Sequence, residues 1–128
     1  MNNKTNGNIS TFFPMNVQKN KKEANYLNKE RLQELVEKNK IIHFEDDSSQ
    51  QDIWNEMIKI LSNNLEETIA YLDSASKEEI YYISSIYDDL SEILKSKKLI
   101  KCIQRNATRT GVDCNVDIEF ALKTLNEN

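Results

Sequence analysis

Glycine and proline are nearly missing from this chain: Gly7, Gly111 and Pro14 are the only three among 128 residues. Hairpins and βα turns need residues that tolerate positive φ or fix φ near about −65°. Strand-rich folds are therefore disfavoured, and an all-α domain is expected. Histidine is limited to His43, and the two cysteines, Cys102 and Cys114, are not spaced as CxxC. No Cys/His zinc set can be assembled from them. They read as reduced thiols, Cys102 on a helix and Cys114 in a loop, with a disulfide left open. Long apolar runs are also missing: no apolar h-region follows Met1, and no stretch approaches the roughly 18 residues of a membrane span. Neither export by a signal peptide nor membrane insertion is expected, and the expected location is cytoplasmic.

What the chain does contain is charge, at 30% of residues, and enough apolar side chains, 38%, for one core. One modest domain of this size leaves little room for a deep substrate cleft. The formal charge of −4 is unevenly spread. Residues 1–25 hold Lys4, Lys19, Lys21 and Lys22 against Glu23, which leaves 13 basic and 20 acidic side chains, a net of −7, in residues 26–128. An acidic field repels nucleic-acid phosphates and accelerates association with a basic protein. The expected partner is therefore a basic protein, with no direct nucleic-acid and no membrane contact.

The organisation follows from periodicity. Residues 1–22 are rich in Asn, Lys, Thr and Ser without a period and read as a flexible basic leader. Within it Phe12-Phe13-Pro14-Met15 can dock on its own domain or on a partner, or stay disordered. Residues 23–128 read as an acidic helical domain. A first helix from Asn25 or Asn28 to Lys40 carries Leu32, Leu35 and Val36 on one face. Ile41-Ile42-His43-Phe44 reads as an extended or turning latch, and the loop Glu45–Ser49 ends in an N-cap. The next helix places Ile53, Trp54, Met57, Ile58 and Leu61 inward, with Trp54 as the centre of the core. A shorter helix capped by Asn63 or Asn64 follows. Ser76-Lys77-Glu78-Glu79 forms a capping box and opens the longest helix, to about Lys95, with Ile80, Ile83, Ile86, Tyr87, Leu90, Ile93 and Leu94 facing the core. Ser96 caps a segment with Leu99, Ile100 and Ile103, Thr108–Asn115 loops around Gly111, and a last helix starts at an Asn115 cap. About six helices with short connections predict a compact bundle or a short stack of helical hairpins.

Chemistry is sparsely encoded. His43 beside Phe44 reads as a structural histidine or a lone base, and two isolated glycines cannot form a phosphate loop. Asp88-Asp89-x-x-Glu92 has spacing suited to sharing a Mg²⁺ with a diphosphate, as in prenyl-type synthases. Those enzymes pair two such clusters across a much larger bundle, so no metal, no cofactor and no enzymatic activity are expected. At about 100° per residue, Tyr81, Ser85, Asp88 and Glu92 instead fall opposite the apolar stripe. Glu78 and Asp89 lie close by, and Tyr82 sits at the flank. Tyrosine among carboxylates suits recognition of a basic protein, because the ring gives rigid contact and the acids pair with Lys or Arg. The alternative is a charged face kept for solubility. The candidate contact residues are thus Tyr81, Tyr82, Asp88, Asp89 and Glu92. Glu45, Asp46 and Asp47 form a second acidic run, held as a reserve contact surface, whose first reading is a loop with caps.

The segment Asp52–Leu125 also carries a family likeness. It rests on Asp52-Ile53-Trp54, Glu79-Ile80-Tyr81-Tyr82-Ile83-Ser84, Asp88-Asp89, Ser96-Lys97-Lys98-Leu99-Ile100-Lys101-Cys102 and Asp117-Ile118-Glu119-Phe120-Ala121-Leu122. The pattern resembles small helical immunity proteins of Gram-positive bacteria associated with polymorphic toxin loci. The likeness implies a bacterial protein that binds and blocks a cognate toxin domain, often a basic nuclease, without chemistry of its own. It rests mainly on core and cap positions, so no toxin-contact residue is carried over from it. Two other classes fit the same acidity. One is a phage or mobile-element inhibitor that mimics nucleic-acid charge, and the other is a helical adaptor or regulator using the leader.

Overall fold

The computed structural model describes residues 27–42 and 46–126. The leader, including Phe12–Met15, lies outside the described residues, as do His43, Phe44 and Glu45. Among the described residues the chain is all-α: α1 (Lys29–Ile41), α2 (Asp47–Leu61), α3 (Leu65–Ser74), α4 (Lys77–Ile83), a 3-10 turn (Ser84–Ile86), α5 (Tyr87–Leu94), α6 (Lys97–Thr110) and α7 (Asn115–Asn126). If α4, the turn and α5 are taken as one interrupted rod, these form six helical stretches.

Short polar side chains set most of the boundaries. The side-chain oxygens of Asn28, Asp46, Asn64, Ser76 and Ser96 accept the backbone N–H three residues on, at the starts of α1, α2, α3, α4 and α6. Each satisfies a donor that the first helical turn leaves orphaned. The Ser76/Glu79 capping box is complete in both directions, at 3.1 and 2.8 Å. Three boundaries differ from the sequence reading. The cap of α2 is Asp46 rather than the end of the Glu45–Ser49 loop, because its carboxylate reaches the Ser49 N–H at 3.3 Å. Helix α6 continues through Thr108 to Thr110 and stops where Gly111 adopts φ 81°, the left-handed conformation that glycine takes without a Cβ clash. The last helix already includes Asn115, whose N–H is taken by the Asp113 carboxylate.

The rod from Lys77 to Leu94 is also not the continuous longest helix that its periodicity suggests. The Ser84 hydroxyl donates to the Tyr81 carbonyl at 2.7 Å, and a serine bonded back to its own helix competes with the regular ladder. The 3-10 turn over Ser84–Ile86 is the local result, and α2 with 15 residues is the longest uninterrupted helix.

Packing places α1 on α2 and α4, α3 on α6, and α5 on both α6 and α7, with α2 also reaching the turn and α5. Leu32, Met57, Leu61, Leu72, Ile80, Ile83, Ile86, Tyr87, Leu90, Leu99 and Ile103 are fully excluded from water. Trp54 is only half-buried, packed against this core rather than at its centre. That corrects the sequence reading: Met57 and Leu61 occupy the enclosed side of α2, and the large indole lies at the margin. Polar ties bind the helices from outside. Arg31 grips Glu56 through two bonds of 2.6 and 2.8 Å, joining α1 to α2. Arg109 on α6 donates to the carbonyls of Leu72 and Ala75 at 3.1 and 2.8 Å, satisfying acceptors that the end of α3 exposes.

Candidate functional site

The α4–α5 rod presents the outer face singled out from the sequence. The capping box fixes where α4 begins, and Ile80 and Ile83, both fully buried, fix which side faces inward. Tyr81 is thereby turned out and remains 60% exposed. Tyr82 is half-buried beside it, and the rings meet edge to face with centroids 5.0 Å apart. This contact limits the Tyr81 rotamers, so less ordering entropy is lost when a partner covers the ring.

On α5 the placement departs from the helical projection. Asp89 and Glu92 are exposed as expected. Asp88 is not: it is half-buried, and one of its carboxylate oxygens is enclosed without a hydrogen-bond partner among the described residues. Ile93, expected in the core, is 54% exposed, whereas Ser91 is buried. One cause explains both differences. Helix α7 packs along the Asp88/Ser91 side of α5, with Asp117 against Asp88. The buried arc is set by two neighbouring elements and turns away from Ile93. Tyr81, Asp89, Glu92 and Ile93 are consequently among the exposed residues of the rod, with Ser85 between them and Tyr82 supporting the tyrosine.

The sequence reading missed Ile93. The available signal was its position four residues after Asp89, which places the two on one helical side. Glu78 is exposed near the start of the same rod, but Lys40 reaches its carboxylate at 3.1 Å and also pairs with Glu37. Among the described residues no ion pair engages Asp89 or Glu92.

The second acidic run is not joined to this face by any described contact. Asp46 caps α2 and Asp47 lies in its first turn, where a negative charge complements the helix dipole. Both have structural work at that terminus, which is the cap alternative for the run, and Glu45 lies outside the described residues.

Between α3 and α6 polar groups are tied to one another. The Arg105 guanidinium holds the Asp73 carboxyl down to about 2, through bonds of 2.8 and 2.7 Å, and Asn106 adds a third at 2.7 Å. Cys102 and Cys114 are free, buried thiols, on a helix and in a connection respectively. Burial pushes both up to about 11, with the Asp73 charge adding to the effect at Cys102 and the Asp117 charge at Cys114. Thiols held this far above neutrality are poor nucleophiles. Among the described residues, no three His, Cys, Asp or Glu side chains are grouped to hold a metal ion. A depression of about 420 Å³ between α1 and α2 is lined by Leu27, Arg31, Glu56, Lys59 and Ile60, with the Arg31–Glu56 pair in its wall. No helix among the described residues is long and apolar enough to cross a membrane. No protein-family model, curated protein or solved structure matches the chain.

Proposed function

We propose that this chain is a non-enzymatic immunity protein of a bacterial polymorphic toxin system, acting in the cytoplasm to bind and occlude a basic toxin domain such as a nuclease. The observation that carries the reading is the exposed Tyr81, braced by Tyr82, on a rod that also exposes Ile93 and the carboxylates of Asp89 and Glu92, which have no ion pair among the described residues. A rigid aromatic and an aliphatic knob give dry contact area, while the acids give steering and register against Lys or Arg. The net charge of −7 over residues 26–128 extends that attraction beyond direct contact. The sequence resemblance to immunity proteins supports the same reading.

Inhibition in this mechanism requires no bond to be made or broken. The acidic face competes with the substrate's phosphates for the cationic active site, and the tyrosine and isoleucine hold the complex after encounter.

The direct experiment is to purify the product of the adjoining reading frame, mix it with the full chain, and measure complex formation and nuclease activity. The expected result is a stoichiometric complex with activity abolished. Reversing Asp89 and Glu92 to Lys should weaken binding by about 10–100-fold. A basic partner that binds equally well after both reversals would remove this face from the mechanism, and a product that neither binds nor is inhibited would remove the immunity reading.

A further inference from the structure

The seam between α5 and α7 is unusually polar for a helix contact. Asp88 on α5 meets Asp117 in the first turn of α7, and one Asp88 oxygen is enclosed without a partner among the described residues. Ser91 on α5 and Thr124 on α7 are both buried. Among the described residues the Ser91 hydroxyl and the fully enclosed Tyr87 hydroxyl have no hydrogen-bond partner. Helix α7 has few other attachments, since its main neighbours are α5 and α6. Its outer side leaves Val116, Phe120 and Leu122 exposed.

We propose that the Asp88–Asp117 pair is a proton-dependent latch that holds the C-terminal helix α7 against α5 when one proton is shared and loosens it when both carboxyls ionise. A protonated carboxyl donates to its ionised neighbour, whereas two carboxylates in contact can only repel. Among the described residues no cation faces Asp117 to replace the proton. Asp117 faces Asp88 from α5 and Asp113 from the preceding connection, and Cys114 and Tyr87 also lie near its charge. From α6, Cys102 and Arg109 reach Tyr87. Arg109 is already committed to the Asn106 side chain and to the carbonyls of Leu72 and Ala75.

Burial first, and then Asp88, push the Asp117 carboxyl up to about 6 from its ordinary 3.8. The docked state therefore binds more protons than the undocked one across that interval. Stability of the contact is fully present below about 3.8 and is lost as pH rises through about 6. A shift of two units would set an upper limit of about 100-fold on the opening equilibrium. Between pH 5 and 7.5 only the upper part of that interval is crossed, which limits the change to about tenfold.

The test is amide hydrogen exchange of the full chain between pH 5 and 7.5, corrected for intrinsic rates, with carboxyl ¹³C titration of Asp88 and Asp117. Opening of residues 115–126 should rise about tenfold relative to α4 over this range. The pair should release a proton in an apparent step near pH 6. Asp117→Asn keeps a donor at the position permanently and should abolish the pH dependence. Asp88→Asn makes the same test from the other helix should the first variant fold poorly. Protection of α7 that is independent of pH in the wild type, or an unchanged dependence in either folded variant, would overturn the latch.

Discussion

Replacing Tyr87 with Phe removes one oxygen from the best-enclosed aromatic side chain among the described residues and tests the account of the core directly. Tyr87 has no exposure, and its hydroxyl finds no hydrogen-bond partner among the described residues. Burial pushes its phenol above the ordinary value, with nearby thiol and carboxylate charge adding to the effect. In the unfolded chain that hydroxyl is hydrated, so folding strips its water without replacing it. An unsatisfied buried polar group costs about 1–3 kcal/mol. Deleting it recovers part of that cost but leaves a gap about the size of one oxygen, which forfeits some dispersion contact. The net expectation is stabilisation by about 1 kcal/mol. For a domain near 100 residues this raises Tm by about 4–8 °C. Urea unfolding with linear extrapolation, alongside a thermal melt, measures both values, and an unchanged m-value would show that the same surface is exposed. Destabilisation by 1 kcal/mol or more would refute the reasoning, because it would mean that the hydroxyl makes a bond worth keeping. Partner binding should be unchanged, since Tyr87 points away from the Tyr81 face.

Other consequences are equally concrete. Lys at positions 89 and 92 should leave the far-ultraviolet circular dichroism and Tm nearly unchanged, as both sites are exposed, while reducing the salt dependence of association with a basic partner. Ser76→Ala breaks the capping box at the head of α4 and should cost about 1 kcal/mol by denaturant unfolding; a change below about 0.3 kcal/mol would show that Glu79 and tertiary packing fix this terminus without the serine. The depressed Asp73 carboxyl implies stability that is present above about pH 4 and lost as pH falls toward about 2. Arg105→Ala should flatten that acid limb of the melting curve. The native thiols should react with a disulfide reagent only at the rate of unfolding, because both are buried and held up to about 11.

How much of this was legible in the sequence depends on whether an element's neighbours share one side of it or spread around its circumference. Helix α1 has a single inward stripe, and Leu32, Leu35 and Val36 are buried as its periodicity requires. The caps were legible for a local reason: Asn64, Ser76 and Ser96 act on donors three residues away and need no tertiary information. Trp54 was misplaced because hydrophobicity ranks a side chain by what it gains from burial. It does not tell how much room the enclosed side of α2 has. Thr108–Thr110 were misread because polar residues beside a glycine resemble a loop, although Gly111 is the terminator and the threonines precede it. The hydroxyls of Thr108 and Thr110 bond back to the Gln104 and Asn106 carbonyls, so they need no bonds outside the helix.

The contact face shows the same division within a few residues. Tyr81 and Tyr82 lie on α4, where one inward direction decides exposure, and their placement follows the helical projection. Asp88, Asp89, Glu92 and Ile93 lie on α5, where a second partner encoded some 25 residues later takes part of the circumference. No local pattern around Asp88 announces Asp117, and Ile93 looks like core in any one-neighbour projection. The consequence is a division of labour that charge alone would not reveal. Asp89 and Glu92 remain in water, where they can steer a basic partner, whereas Asp88 is drawn into the seam with α7. A substitution at Asp88 therefore disturbs helix docking and recognition together. Variants at Asp89, Glu92, Tyr81 and Ile93 separate recognition from folding, and they are the ones that can decide whether this face binds.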